Sequence, residues 1–299
     1  MAFSRRTFLK CAAAGVAASV AASRPAARAE GPRPGAAPAA GPAAARIRVG
    51  ACMIGNLQDA RKAGLDGVEL EAGGPADRLR IADPAVRAKH KEDMKATGLA
   101  VSSLMMGLLN GNPLATDPRG PAWLDQCIDA AKDLGAGVIL VAFFGAGDLR
   151  AGKDVKKAEL DTVVQRIKDA APKAKEAGVR LGIENTLSAQ QNADILDRIK
   201  HDAVGIYYDV GNSTGGGYDV PAEIRMLKDR ICQLHFKDGG SFLGEGRIKF
   251  DPIAAAVKEI GYRGWIVLET SSPTRDGVAD AKRNADFVRK LLGIEARGA

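Results

Sequence analysis

From Ile47 onward the chain alternates short β-type apolar runs with amphipathic helical stretches, a pattern that builds βα units and a parallel sheet. The runs lie near 47–53, 67–72, 100–106, 137–144, 180–185, 205–210, 231–237 and 264–270. Helical stretches follow near 57–64, 84–97, 120–134, 155–177, 190–200, 221–229, 252–260 and 276–292. Several of them stop at a glycine (Gly64, Gly98, Gly135, Gly178, Gly261), as helix ends commonly do. Eight such units predict an α/β fold, the (β/α)8 TIM barrel. An open doubly wound sheet is the alternative, but no Gly-rich phosphate loop follows the first run, where such folds place one.

The 299 residues suit one large domain, expected over 47–293 with a short tail at 294–299. The preceding residues read differently. Ser4-Arg5-Arg6-Thr7-Phe8-Leu9-Lys10 leads into the apolar run CAAAGVAASVAAS and then Ala27-Arg28-Ala29, a small-x-small cleavage pattern. With Arg5 and Arg6 paired, residues 1–29 resemble a twin-arginine signal peptide, which predicts the twin-arginine translocase as an export partner and a periplasmic or otherwise extracytoplasmic location. The apolar run is too short to span a bilayer, so no stable membrane anchor is expected. Residues 30–46, rich in Ala, Pro and Gly, read as a linker.

Five basic residues of the leader, Arg5, Arg6, Lys10, Arg24 and Arg28, account for most of the formal net charge of +7 and leave +2 for the rest. Basicity therefore gives no argument for a nucleic-acid partner. Cys52, Cys127 and Cys232 are odd in number, widely spaced and set among apolar residues, so buried thiols are expected in place of disulfides or a zinc site.

Chemistry concentrates in the last four runs. Each ends in a residue able to bind a metal: Glu184 in LGIENT, Asp209 in IYYDVGN, His235 in CQLHFKD and Glu269 in WIVLET. In a (β/α)8 barrel such strand ends form the active face. Alternation allows each to point inward, because Arg180, Gly182 and Glu184 share one face, as do Gln233, His235 and Lys237. Three carboxylates and one imidazole favour one divalent metal, Mn2+ first, with Mg2+, Co2+ or Zn2+ as alternatives. Any one of these acids could instead be a helix cap or salt-bridge partner; four in register argue for a site.

The ordered series Glu184-Asn185-Thr186, Asp209-Val210-Gly211-Asn212, His235-Phe236-Lys237-Asp238, Leu243-Gly244-Glu245-Gly246 and Leu268-Glu269-Thr270 resembles the sugar phosphate isomerase/epimerase family, of xylose isomerase-like TIM-barrel fold. The resemblance implies one metal held by Glu184, Asp209, His235 and Glu269, with Glu184 and Glu269 moving the proton through a metal-stabilised enediolate. It also implies a small-molecule sugar substrate and allows a homo-oligomer. The chain departs from the family's ketose 3-epimerases at Asn212, Ser241 and Gln190, where a histidine, an arginine and a glutamate are expected. Endonuclease IV, which shares the barrel, needs several histidines for three zinc ions; here only His90, His201 and His235 occur.

Lys237, Asn212, Glu71 (or Glu69 if it faces inward) and Glu245 complete the site as candidate substrate-binding residues, with a structural ion pair the equal alternative for Lys237 and loop packing the alternative for Glu245. Trp123, Phe143, Phe144, Tyr207 and Trp265 are candidates for a stacking surface, against the commoner reading of core. The expected function is an exported sugar or keto-sugar isomerase or epimerase with an unphosphorylated substrate. Alternatives are a lyase, such as a keto-sugar or keto-inositol dehydratase, and a non-catalytic sugar-binding barrel.

Overall fold

A computed structural model describes residues 46–295. The signal peptide and linker expected over 1–46, with Arg5 and Arg6, and the end of the expected tail lie outside the described residues, apart from Arg46. Eight parallel strands close into one barrel in sequence order: β1 (Arg48–Ala51), β2 (Gly67–Glu71), β3 (Ala100–Met106), β4 (Val138–Ala142), β5 (Arg180–Glu184), β6 (Val204–Asp209), β7 (Ile231–Phe236) and β8 (Trp265–Leu268). Closure comes from β1 against β8, where Arg48 pairs with Trp265 and Ala51 with Leu268. This excludes the open sheet.

The outer helices are α1 (Leu57–Lys62), α2 (Pro84–Thr97), α3 (Gly120–Leu134), α4 (Lys157–Glu176), α5 (Ala189–Ile199), α6 (Val210–Gly215), α7 (Val220–Leu227), α8 (Phe250–Glu259) and α9 (Gly277–Leu292). Helix α3 shows how the sequence encodes the layer. Its buried Leu124, Cys127, Ile128, Ala131 and Leu134 recur at three- and four-residue spacing, and Gly135 ends it in the left-handed conformation. Helix α6 and a small hairpin (Arg150–Ala151 with Asp154–Val155) were not expected. Residues 210–217, VGNSTGGG, carry too few apolar side chains for a helical period to show. Among the described residues no helix is long and apolar enough to cross a membrane.

Main core packing lies between sheet and helices, with Leu104, Ile139, Ile183 and Ile266 facing outward into it. The barrel interior holds a separate set: Val138, Leu140, Ala142 and Tyr207, bordered by Met105 and Cys232. Two bulges, one between Val68 and Glu69 against β3 and one between Ile206 and Tyr207 against β7, adjust which side chains meet inside. At the base, Arg48 stacks over Trp265, 4.0 Å from its ring centroid. Trp265 therefore fills the floor and is no stacking surface for a ligand at the strand ends. Trp123 belongs to α3, where its Nε1 donates to the carbonyl of Ala76, and Phe143 is fully within the core.

Candidate metal centre and active site

Glu184, Asp209, His235 and Glu269 converge at the C-terminal mouth, each offering one ligand atom within 4.8 Å of the others. His235 Nδ1 is the hub, lying 3.0 Å from Glu184 Oε1, 3.4 Å from Glu269 Oε2 and 3.7 Å from Asp209 Oδ2. Ligand atoms bound at about 2.0–2.2 Å around one ion lie roughly 3 Å apart when adjacent, so this set fits a divalent cation.

Local sequence holds each donor. Asp209 caps α6: its Oδ1 accepts the Asn212 N–H at 2.6 Å, which locks the rotamer and leaves Oδ2 turned into the cluster. That Oδ2 is buried and accepts no aligned hydrogen bond; the Lys237 ammonium, 3.1 Å away, is its charged neighbour. After Glu184 the chain turns on Asn185, whose side chain accepts the Leu187 N–H and pairs with Asn192. Helix α5 then starts with a Ser188–Gln191 capping box. Glu269 lies one residue past β8, but its N–H still donates to the Phe236 carbonyl, which keeps it in register.

Beneath the cluster runs a buried polar network. His235 Nε2 is 3.1 Å from Glu69 Oε1, while Glu69 Oε2 accepts from Ser103 at 2.7 Å and from the Tyr207 hydroxyl at 2.8 Å. Gln233 donates to both Ser103 and Tyr207. Glu69 thus faces inward as an orienting group: with Nε2–H donated to it, Nδ1 is the nitrogen that would exchange its proton, shared with Glu184, for a metal. Tyr207, whose ring centroid is 4.5 Å from that of His235, is a floor for the imidazole.

Burial and like charge shape the titrations. Burial raises the Glu184 carboxyl, with His235 opposing it. Burial also lifts Asp209 to about 7, against the pull of Lys237. Burial pushes Glu269 up as well, yet His235 and Lys237 outweigh it and hold the group below its ordinary range. The His235 imidazole is favoured in its charged form: burial opposes this, and Glu184 and Glu69 overcome it. Four carboxylates here face only two cations, His235 and Lys237. A divalent ion would relieve that excess.

Lys237 is an ion-pair partner of the ligands, with Nζ 2.7 Å from Glu269 Oε2 and 3.1 Å from Asp209 Oδ2. A side chain at position 211 would collide with its stem, so Gly211 is what lets it lie there. Asn212 contributes its backbone N–H to Asp209. Glu71 sits at the mouth against Gly107, its carboxyl raised by burial and by nearby Glu69. Glu245 is not gathered into the cluster; it is exposed and pairs with Arg283 of α9, bracing a loop. His90 and His201 are both half-exposed, and His201 Nδ1 accepts the Ala203 N–H. Cys52, Cys127 and Cys232 are free thiols, with Cys127 buried and the other two only partly so.

The role of Asp238 was not legible in sequence. Buried just after β7, it accepts from the N–H groups of Gly244, Gly246 and Ile248 and so shapes the β7–α8 loop. The recurrence of glycine at 244 and 246 was the available signal: a side chain at 246 would strike the Asp238 carboxylate.

Known proteins share this barrel fold. The family model described as xylose isomerase-like TIM barrel matches residues 57–291. The L-ribulose-5-phosphate 3-epimerase UlaE of Escherichia coli (strain SMS-3-5 / SECEC) is 26% identical over 264 residues, covering 81% of this chain and 91% of that protein. A solved L-ribulose 3-epimerase superposes with a TM-score of 0.69 at 22% identity, covering 83% of this chain and 95% of that one. A xylose isomerase-like TIM barrel protein from Mycobacterium smegmatis, solved in complex with magnesium, gives 0.63 at 19% identity, over 79% and 86% of the two chains. With the family model spanning most of the chain and a closed eight-stranded barrel beneath it, this protein belongs to the xylose isomerase-like TIM barrel family.

Proposed function

We propose that this chain is a divalent-metal-dependent sugar epimerase or isomerase in which Glu184 and Glu269 move the proton. The observation that carries the reading is the convergence of Glu184, Asp209, His235 and Glu269 into one largely buried cluster, with the Lys237 ammonium set against Asp209 Oδ2 and Glu269 Oε2. The sugar epimerases among its relatives favour that substrate class, and the magnesium held by the Mycobacterium smegmatis protein favours a divalent ion. Mn2+ is our first choice on the donor set, with Mg2+, Co2+ or Zn2+ as alternatives.

When bound, the ion would polarise a carbonyl and its neighbouring hydroxyl and so acidify the adjacent C–H. This chain's residues do the rest. Glu184 meets His235 through Oε1 and Glu269 through Oε2, so each keeps a second oxygen for proton transfer. With side-chain exposures of 6% and 32%, Glu184 is the enclosed member and Glu269 the one open to an entering sugar. Lys237, beside Glu269, is placed to hold a substrate oxygen once the ion shares its carboxylates. Glu69 keeps His235 in the ligating tautomer.

The sequence of residues 1–29 carries the further proposal that the protein is exported by the twin-arginine translocase and works outside the cytoplasm. A fusion lacking Arg5 and Arg6 should then stay in the cytoplasm.

Two measurements test the reading. Metal analysis of the purified, reconstituted protein should find about one equivalent of divalent ion, lost in Asp209→Ala. Turnover of ketoses in D2O should leave deuterium on recovered sugar. Release of a deoxy or unsaturated product would make the enzyme a lyase instead. Retained physiological activity in Glu184→Gln and Glu269→Gln would leave only a binding role.

A further inference from the structure

Beside the metal ligands, between the start of α6 and the loop after β7, lies a cavity of about 380 Å3. Lys237 forms the wall it shares with the ligand cluster; Thr214, Ser241 and Arg247 line the remainder together with Gly239 and Gly240. Its charges are one-sided. The single acid on the lining, Asp238, is spent on three backbone N–H groups of its own loop.

Arg247 sits between Gly246 and Ile248, and both flanking N–H groups are anchored on Asp238, so the backbone presenting this arginine is held on either side. The neighbouring Glu245 is already paired with Arg283, and among the described residues Arg247 has no ion-pair partner. The N–H groups of Gly239 and Gly240 likewise have no intramolecular acceptor among the described residues, whereas the Gly239 carbonyl accepts from Ser271. A cavity lined by a guanidinium without an ion-pair partner among the described residues, two hydroxyls and two spare amides, with Lys237 at its edge already paired to Asp209 and Glu269, is built for oxyanion oxygens.

We propose that this cavity is an oxyanion subsite, which takes a phosphate or carboxylate group carried by the sugar, with Arg247 as its specificity-determining residue. The proposal deepens the sugar-epimerase reading and rests on it. It also replaces the expectation of an uncharged substrate, which came from the lack of a Gly-rich loop after β1: here the donors come from the β7–α8 loop.

The test titrates the metal-loaded full chain with inorganic phosphate and, separately, with acetate, by calorimetry. Saturable binding is expected for at least one, weakened about 10- to 100-fold in Arg247→Ala and partly restored in Arg247→Lys. Ser241→Asp, which adds a carboxylate to the lining, should also abolish it and serves if truncation at 247 impairs folding. Preference for phosphate assigns a phosphate ester, and preference for acetate a sugar acid. In turnover, Arg247→Ala should raise KM for the matching anionic ketose and leave KM for the neutral ketose unchanged. Binding that is absent, or unaltered in Arg247→Ala and Ser241→Asp, overturns the subsite. Phosphate held by the metal alone falls in that second class. Because anion binding needs no turnover, a failed epimerase assay with Arg247-dependent binding would refute the reaction and spare the subsite.

Discussion

The two halves of the barrel use the same strand geometry for opposite purposes. Strands β5–β8 carry Glu184, Asp209, His235 and Glu269 at their C-terminal ends, whereas β4 offers Val138, Leu140 and Ala142 to the interior, with Ala142 opposite Glu184. The first half packs and the second half gathers the candidate ligands. The division is bridged by buried hydrogen bonds: Gln233 donates to Ser103, Tyr207 to Glu69, and Glu69, from β2, reaches across the barrel to His235, 166 positions away in sequence. The comparison teaches that a metal site built on one side of a barrel still depends on the other side for the orientation of its imidazole.

The most severe way to break the ligating half is to remove a donor. Asp209→Ala or His235→Ala should abolish metal binding and lower kcat/KM by about 10³-fold or more, read by metal analysis alongside kinetics. Metal retained at full stoichiometry in both variants would refute the ligand assignment. In the packing half, Leu104→Ala should instead cost about 2–5 kcal/mol of stability, since Leu104 is fully buried between sheet and helices. Denaturant unfolding would show the loss, and activity per folded molecule should persist.

The bridge itself gives an intermediate effect. Glu69→Gln is expected to weaken metal affinity or activity by about 10- to 100-fold, the range seen for partners of metal-bound imidazoles. A merely structural Glu69 would lower stability and leave metal affinity unchanged, so both are measured. The smallest effect belongs to a residue outside both roles. Glu245→Gln removes an exposed ion pair with Arg283 and should change stability by less than about 1 kcal/mol, with the metal content unaltered.

Legibility followed distance along the chain. Glu184, Asp209, His235 and Glu269 could be found because each closes an apolar run, and the alternation within a strand is a purely local property. Lys237 was visible by the same parity, but its pairing with Asp209 and Glu269 was not, since that depends on β6, β7 and β8 lying side by side. Glu245 looked like a site residue in its Gly-x-Gly setting, yet the Asp238-anchored loop turns its carboxylate to α9. Helix α6 escaped notice because glycine-rich turns show no hydrophobic period, although Asp209 followed by a short helix is what fixes that ligand's rotamer.

By itself, then, the sequence determined the eight βα units, the inward parity of the strand-end donors and the chemical type of the metal site, all of which follow from patterns within a few residues. Only the tertiary structure decided that Glu69 meets His235, that Lys237 pairs with Asp209 Oδ2 and Glu269, and that Arg247 faces a cavity beside Lys237. Those facts arise from barrel closure, strand register and two bulges, which set neighbours between residues that no local period connects.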